Sequence, residues 1–245
     1  MSHREPIFNV PGVVVWLLAA FLVVHVLRAG LPDEQSTWLT AALAFIPARF
    51  GGSAAELPGG QLATATSLVT HLFVHGDLTH LAINSAWLLA FATPVARRTD
   101  VPRFFAFFLL AGIAGALTFL AFNGPVMTLV VGASGAISGL MGAAFRFLFG
   151  PGGASSPPDL GGGAQPAPLM GLAATLRDRR VLLAVLGWTV INSLLAWGAA
   201  GLTDAGGIAW EAHLGGFYMG LLTFGLFDRA SFVQHDVGDD MAGPR

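Results

Sequence analysis

The chain contains 245 residues, of which 54% are hydrophobic and only 11% are charged, and its formal net charge is -2. Because a soluble globular domain carries about a quarter charged residues, this composition excludes a water-soluble domain and indicates a polytopic membrane protein. Cysteine and lysine are both absent, which excludes disulfides, thiolate metal sites, a cysteine nucleophile and a serine-lysine pair. The sequence has no basic patch interleaved with aromatic residues, so no nucleic-acid partner is expected.

Six hydrophobic segments approach the length of about 20 residues that a helix needs to cross the hydrocarbon core. The predicted transmembrane helices cover residues 11–29, 78–96, 104–122, 128–149, 181–199 and 207–227. The first is interpreted as a helix and not as a signal peptide, because Arg4 is offset by Glu5 and five further spans follow. The sequence therefore predicts an all-α membrane protein with a six-helix bundle, with no internal repeat and no second domain.

The predicted connections differ in length and composition. Residues 30–77 form a long outer loop between the first two helices, and within it Trp38 to Phe50 is predicted as an apolar helix too short to span. Residues 150–170 are rich in Gly, Pro and Ser and are predicted as a flexible cytoplasmic linker. Residues 1–10 and 229–245 are predicted as a cytoplasmic N-terminal segment and tail, which leaves 11–228 as the membrane domain.

The arginines predict how the bundle is oriented. With six spans, only Arg28 and Arg49 lie on the outer side, and the other ten of the 12 arginines share the side that holds both termini. The positive-inside rule then places both termini in the cytoplasm. A bacterial inner membrane is the location that best matches the core size and the composition.

Three polar clusters lie inside the predicted helices that begin on the outer face. They are His75, His80 and Asn84 near the second helix, Gly132-Ala133-Ser134-Gly135 in the fourth, and Ala212-His213 with Gly216 and Gly220 in the sixth. Asn84, Ser134 and His213 each lie six residues into their predicted helix, roughly 9 Å below the outer surface. Because polar groups in lipid are costly and mark function, the matched depth predicts one site that opens to the outer face.

Each cluster also has a simpler interpretation when it is considered alone. A serine among glycines, such as Ser134, usually serves helix packing, and a single histidine in a membrane usually bonds a neighbouring helix. His71 and His75 have the spacing of metal ligands, but Asp77 lies off their shared face, so no metal site is predicted. Asn192 is predicted to form an interhelical hydrogen bond. A nucleophile, a base and two donors on three helices are nevertheless what acyl transfer requires.

Together the motifs resemble those of the rhomboid family of intramembrane serine proteases. The GxSG motif of that family matches Gly132 to Gly135, its AHxxGxxxG motif matches Ala212 to Gly220, and its HxxxxHxxxN motif matches His75 to Asn84. The resemblance covers roughly residues 10–228 and implies the six-helix rhomboid fold, with no cofactor. Two features depart from the family: a Trp-Arg pair is not apparent in the outer loop, and Ser138 replaces an aromatic residue four positions after the serine.

The resemblance implies a catalytic dyad. His213 would take the proton of Ser134, whose oxygen attacks a peptide carbonyl to give an acyl-enzyme. The oxyanion would be held by the backbone N–H of Ser134 and by the side chains of His80 and Asn84. The supporting residues would be His75, Gly132, Gly135, Gly216 and Gly220, with Gly132 and Gly135 letting the substrate backbone approach. Glu211 is left out, because two residues along a helix place it about 160° from His213.

The implied partners are transmembrane protein substrates and the lipid bilayer, with substrates reaching the site laterally between helices 2 and 5. A catalytically inactive rhomboid-like protein that binds membrane clients is the alternative, although such proteins typically lose the serine or the histidine, and both are present. A transporter or metal carrier would predict inverted repeats or a polar path to the cytoplasm, and below Asn84 and Ser138 the sequence offers little polar lining. The sequence specifies neither the substrate nor the oligomeric state.

Overall fold

The computed structural model describes residues 10–150, 167–199 and 209–229. Over these residues the protein is helical, and the one β-type pairing is an isolated bridge between Phe45 and Val130. The helices are α1 (Gly12–Ala29), α2 (Asp33–Leu43), α3 (Gly60–Thr70), α4 (Leu78–Ala96), α5 (Val101–Asn123), α6 (Ser134–Leu148), α7 (Leu172–Thr175), α8 (Arg179–Ala199) and α9 (Trp210–Thr223). Short 3₁₀ turns cover Pro47–Gly51, Ser53–Glu56, His71–Phe73 and Phe224–Leu226.

Each of the six predicted segments contains a helix, namely α1, α4, α5, α6, α8 and α9. Within the described residues, α1, α4 and α5 are long and apolar enough to cross a membrane. The central helix α6 has 15 residues and α9 has 14, which is less than a full span requires. The all-helical fold is therefore confirmed, while the count of six spans stays a prediction. Most of the predicted linker and cytoplasmic tail, and the N-terminal segment up to residue 9, lie outside the described residues.

The predicted start of the fourth helix is wrong. The helix begins at Ser134 and not at residue 128, because Gly132 has a φ of 110°, a left-handed conformation that an α-helix does not include. Ser134 is consequently the first residue of α6, whereas His213 is the fourth residue of α9. The predicted equal offset of six residues from each helix start is therefore also wrong, since hydropathy does not detect the turn at Gly132.

The predicted short helix from Trp38 to Phe50 is also misplaced. The helix in this region, α2, begins at Asp33 after Pro32, with Asp33 and Glu34 in its first turn, where acidic side chains complement the helix dipole. It ends at Leu43, after which Phe45 pairs with Val130. A second helix, α3, was not predicted because its eleven residues are rich in Thr, Ala and Ser and lack a long apolar run.

The outer loop is held together by a buried arginine. Arg49 is 2% exposed and donates to the backbone carbonyls of Ala41 and Pro58, at 2.8 and 2.7 Å, and to that of Gly60 at 3.4 Å. These carbonyls belong to α2, to the turn before α3 and to the start of α3. One guanidinium therefore ties the two loop helices together, which supports a folded and not an extended outer loop.

The core of the bundle is α6, which packs against α4, α5 and α9 and is buried along most of its length. The contact between α6 and α9 is made by the two backbones themselves. A Cβ atom on Gly216 would overlap the carbonyl oxygen of Gly135, and one on Gly220 would overlap that of Gly139. Glycine at these positions permits the close approach that small-residue stripes give to membrane helices.

A buried ion pair lies at the end of α6 that is opposite Ser134. Arg98, just after α4, lies 2.8 Å from the carboxylate of Asp228, which follows α9, and the two side chains are 4% and 0% exposed. The same guanidinium lies 4.7 Å from the ring centroid of Phe147 in the last turn of α6. This group of contacts links three helices at one end of the bundle.

We expect Gly142→Ala to lower the free energy of unfolding by about 1–3 kcal/mol, since overpacking a tight contact carries that cost. A Cβ atom at Gly142 would overlap the Phe217 carbonyl oxygen and lie 2.9 Å from the backbone nitrogen of Leu221. The matched control is Gly187→Ala on α8, where a Cβ atom would meet nothing within 4 Å. The measurement is unfolding in detergent micelles followed by circular dichroism. Equal stability of the two variants would contradict the direct backbone contact of α6 and α9.

Candidate active site

The serine of the GxSG motif occupies the first position of α6. The left-handed turn at Gly132 is held by its own N–H, which donates to the carbonyl of His71 at 2.9 Å. The first hydrogen bond of the helix runs from the N–H of Ile137 to the carbonyl of Ala133, also at 2.9 Å. The N–H groups of Ser134 and the following turn are thus free of helical partners. They lie at the positive end of the helix dipole.

The close contact of α6 and α9 brings Ser134 and His213 together. Their Oγ and Nε2 atoms are 2.8 Å apart, although the residues are far apart in the chain. The carbonyl of Ala212, immediately before the histidine, lies beside Gly135, where a Cβ atom would be 3.3 Å from it. A serine hydroxyl that donates to an imidazole nitrogen at this distance is the arrangement of a nucleophile and its base.

The other ring nitrogen of His213 has a partner on α8. Its Nδ1 lies 2.9 Å from the Oδ1 of Asn192, and the Nδ2 of Asn192 donates to the carbonyl of Trp210, also at 2.9 Å. The structure thus has the interhelical hydrogen bond expected of Asn192. The contact with the imidazole was missed, because helical spacing does not reveal which helix a side chain faces. The available signal was a polar side chain within an apolar segment.

His80 lies at the N-terminal end of α4, which is capped by Asp77 through a 2.8 Å hydrogen bond from the N–H of His80. The edge of its ring lies against Gly132, where a Cβ atom would be only 2.6 Å from Nε2. The N–H of Gly76 donates to Nδ1 across a long 3.4 Å. A neutral imidazole that accepts at Nδ1 carries its hydrogen on Nε2, and that nitrogen is the one beside the GxSG turn.

Asn84 lies one turn after His80 on α4 and is 4% exposed. Its Nδ2 donates to the carbonyl of His80 at 3.0 Å. An amide nitrogen has two hydrogens, so one remains for another acceptor. Asn84 lines the same cavity as Ser134 and His213, and the structure therefore brings these three predicted site residues together.

His75 does not line that cavity. It lies before α4, is 1% exposed, and its ring packs against those of His80 and Phe21, with centroids 5.2 and 5.0 Å away. Burial, and then the neighbouring His80, lowers the pKa of His75 to about 4, so the ring is neutral at pH 7. The guanidinium of Arg28 donates to the His75 carbonyl. His75 therefore packs behind His80 and does not contact Ser134.

The cavity has a volume of about 120 Å³, with polar groups at the Ser134 end and mostly apolar walls. Ser138, which replaces the expected aromatic residue, forms part of its wall. The lining comes from four helices: Ile83, Asn84, Trp87 and Phe91 of α4, Ser134, Ile137, Ser138 and Met141 of α6, Trp188 of α8 and His213 of α9. Such a cavity accepts an apolar chain and presents it to a few polar groups.

The four glycines named from the sequence fall into two groups. Gly132 forms the turn beside His80, whereas Gly135, Gly216 and Gly220 all lie in the contact between α6 and α9. A Cβ atom on Gly135 would be 3.3 Å from the carbonyl of Ala212. The space beside Gly135 is thus filled by α9, so the prediction that Gly135 makes room for a substrate backbone is wrong.

The carboxylate of Glu211 stays outside the site. Glu211 accepts a 2.9 Å hydrogen bond from the amide of Asn123 on α5, which agrees with the prediction that it turns away from His213. Within the part of the chain that the structure describes, no three His, Asp or Glu side chains are grouped as metal ligands.

Residues 62–152 match the family model of the Rhomboid domain. This range holds most of α3 and all of α4, α5 and α6, and so His80, Asn84 and Ser134, while Asn192 and His213 lie beyond it. No curated protein matches the chain. The domain and the apolar helices indicate an integral membrane protein. The match over residues 62–152 includes the motifs at His75 to Asn84 and Gly132 to Gly135, and it supports membership of the rhomboid family.

Proposed function

We propose that the protein is an intramembrane serine endopeptidase that cleaves transmembrane segments of membrane proteins near the outer face. The observation that carries this proposal is the 2.8 Å contact between Ser134 Oγ and His213 Nε2 at the polar end of a largely apolar cavity. A hydroxyl paired with an imidazole for packing alone would not require amide and imidazole donors on the facing helix, where Asn84 and His80 lie.

The reaction begins when the Oγ of Ser134 attacks the scissile carbonyl carbon while His213 takes the hydroxyl proton at Nε2. The tetrahedral intermediate collapses, the C–N bond breaks, and the proton on Nε2 passes to the leaving amine. Water then adds to the acyl-enzyme with His213 again acting as the base. The second collapse releases the carboxyl product and restores the hydroxyl of Ser134.

The oxyanion would be stabilised by donors from two helices. The N–H of Ser134 is free at the start of α6, the second hydrogen on Asn84 Nδ2 is not used by the His80 carbonyl, and His80 carries its hydrogen on Nε2. The N-terminal end of α6 adds a favourable dipole at the same point. Donors that are fixed before the reaction are the condition for electrostatic stabilisation of an oxyanion, and these groups would meet it in the proposed mechanism.

The substrate class follows from the walls of the cavity and from the membrane around it. Apolar side chains of α4, α6 and α8 suit a membrane-spanning segment, which would reach Ser134 laterally between α4 and α8. On this path Trp87 and Trp188 face one another with ring centroids 6.5 Å apart. A helix hides its peptide bonds in its own hydrogen bonds, so the segment must unwind locally, which small and helix-weakening residues favour.

The proposed orientation places both termini in the cytoplasm, in a bacterial inner membrane. It rests on the ten arginines that share one side of the six proposed spans and on the positive-inside rule. Ser134 then lies towards the outer end of α6, and the ion pair of Arg98 with Asp228 lies towards the cytoplasm. Water would reach the acyl-enzyme from the outer face.

We expect a fluorophosphonate probe to label the wild-type protein in detergent and to fail to label Ser134→Ala and His213→Ala. The probe phosphonylates only an activated hydroxyl, so both the nucleophile and its base are required. The matched control is Ser138→Ala, which removes the hydroxyl one turn further along α6 in the same cavity wall and should keep the labelling. Labelling is read as in-gel fluorescence, with folding checked by circular dichroism.

Labelling that persists in Ser134→Ala would contradict the assignment of the nucleophile. A folded wild-type protein that neither reacts with the probe nor cleaves transmembrane segments in liposomes would contradict the proposed endopeptidase activity. That result would favour an inactive rhomboid-like protein that binds membrane clients.

We expect Asn84→Ala and His80→Ala each to lower kcat by about 10²–10³-fold, because that is the cost of removing one oxyanion donor. KM should change much less, since the donors act on the charge that develops in the transition state. Ser85→Ala, the neighbouring position on α4, serves as the control and should leave kcat unchanged. The measurement is cleavage of a labelled transmembrane peptide in liposomes. An unchanged kcat in both variants would contradict the assignment of Asn84 and His80 as oxyanion donors.

A further inference from the structure

Asn192 is buried between the proposed base and the backbone of α9. It is 3% exposed, it lies 2.9 Å from His213 Nδ1, and it donates to the Trp210 carbonyl at the same distance. Together with the contact of His213 and Ser134, these bonds form one chain of hydrogen bonds across α6, α9 and α8.

The backbone carbonyl fixes which way the amide of Asn192 points. A carbonyl oxygen can only accept, so the nitrogen of the amide must face Trp210. The oxygen of the amide is then left facing His213. Because that oxygen also only accepts, the hydrogen of the His213–Asn192 bond must lie on Nδ1 of the ring.

A hydrogen on Nδ1 leaves Nε2 with its lone pair directed at the hydroxyl of Ser134. This is the tautomer that a general base needs, and the opposite tautomer would present an N–H to the nucleophile. The imidazolium formed during the reaction keeps its Nδ1–H bond to the same oxygen. Asn192 thus suits both states of the ring without itself exchanging a proton.

Other groups near the ring do not duplicate this function. Ser138, one turn beyond Ser134, is too small to pack broadly against an imidazole, and among the described residues no aromatic ring stacks on His213. The nearest carboxylate in the sequence, Glu211, is bonded to Asn123. Besides its contact with Ser134, the ring is held by the hydrogen bond to Asn192.

We infer that Asn192 is a positioning residue that sets the tautomer and orientation of His213, so that the site works as a hydrogen-bonded Ser-His-Asn triad with its third member on α8. This inference rests on the proposed function of Ser134 and His213. It concerns a residue beyond the matched domain.

The test compares Asn192→Leu, Asn192→Asp and the control Thr189→Val. Leucine is similar in volume and removes both hydrogen bonds. Aspartate keeps an acceptor for Nδ1 whether it is ionised or neutral, and the neutral acid also donates to the Trp210 carbonyl. Thr189 is one turn away and makes the neighbouring α8–α9 contact, 2.9 Å from the Tyr218 hydroxyl, so valine there weakens the same helix contact without touching His213.

The first readout is the rate of inactivation by the fluorophosphonate probe. We expect Asn192→Leu to lower the maximal inactivation rate roughly 10- to 100-fold with little change in half-saturation, since general base catalysis is worth about 10²–10⁴-fold in total. Asn192→Asp should recover most of the rate, and Thr189→Val should match the wild type. Equal losses in Asn192→Leu and Thr189→Val, or no loss in Asn192→Leu, would overturn the inference and leave the proposed function intact.

The second readout does not depend on activity. In protein labelled with ¹⁵N-histidine, the signal of His213 is identified by its absence in His213→Ala. We expect the wild type and Asn192→Asp to show a single Nδ1–H form, and Asn192→Leu to lose it. An Nε2–H form in the wild type, or an unchanged ring in Asn192→Leu, would overturn the inference. A wild type with the Nδ1–H form that the probe does not label would instead count against the proposed function alone.

Discussion

The site depends above all on the direct backbone contact between α6 and α9. Gly216 and Gly220 lie against the carbonyl oxygens of Gly135 and Gly139 with no room for a Cβ atom. This contact sets the separation of the two helices that carry Ser134 and His213. A larger residue in the contact would move the helices apart, and a hydrogen bond of 2.8 Å does not survive a displacement of even one ångström. The small residues thus set the distance between the proposed nucleophile and base as well as the packing.

Around this contact, the buried polar groups are joined to one another and are not scattered. His213 lies between Ser134 and Asn192, and Arg98 is paired with Asp228. Arg28, buried at the end of α1, donates to the backbone carbonyls that precede α4. Burying a polar group without a partner is costly, and more so in lipid. The partners of these residues fix where α4, α8 and the outer loop lie relative to α6.

Sequence patterns predicted much of this arrangement, and the failures have identifiable causes. The polar cluster of His80 and Asn84 was predicted near the second helix, and both residues lie on α4, one turn apart. Hydropathy misplaced the start of α6, since the turn at Gly132 lies within an apolar run and is marked only by a positive φ. The outer loop was predicted least well. The α3 helix in this loop has little hydrophobic signal. The folded conformation of the loop depends on hydrogen bonds from Arg49 to three backbone carbonyls.

By itself, the sequence predicted the membrane character, the helical class, the resemblance to the rhomboid family and the nucleophile and base that we propose, because composition and local spacing carry that information. Only the tertiary structure decided which side chains meet. It placed Ser134 at the first turn of α6, filled the space beside Gly135 with α9 and set Asn192 against His213. These outcomes depend on the distance and rotation between helices, which arise from contacts among residues far apart in the chain and leave no periodic trace in any one segment.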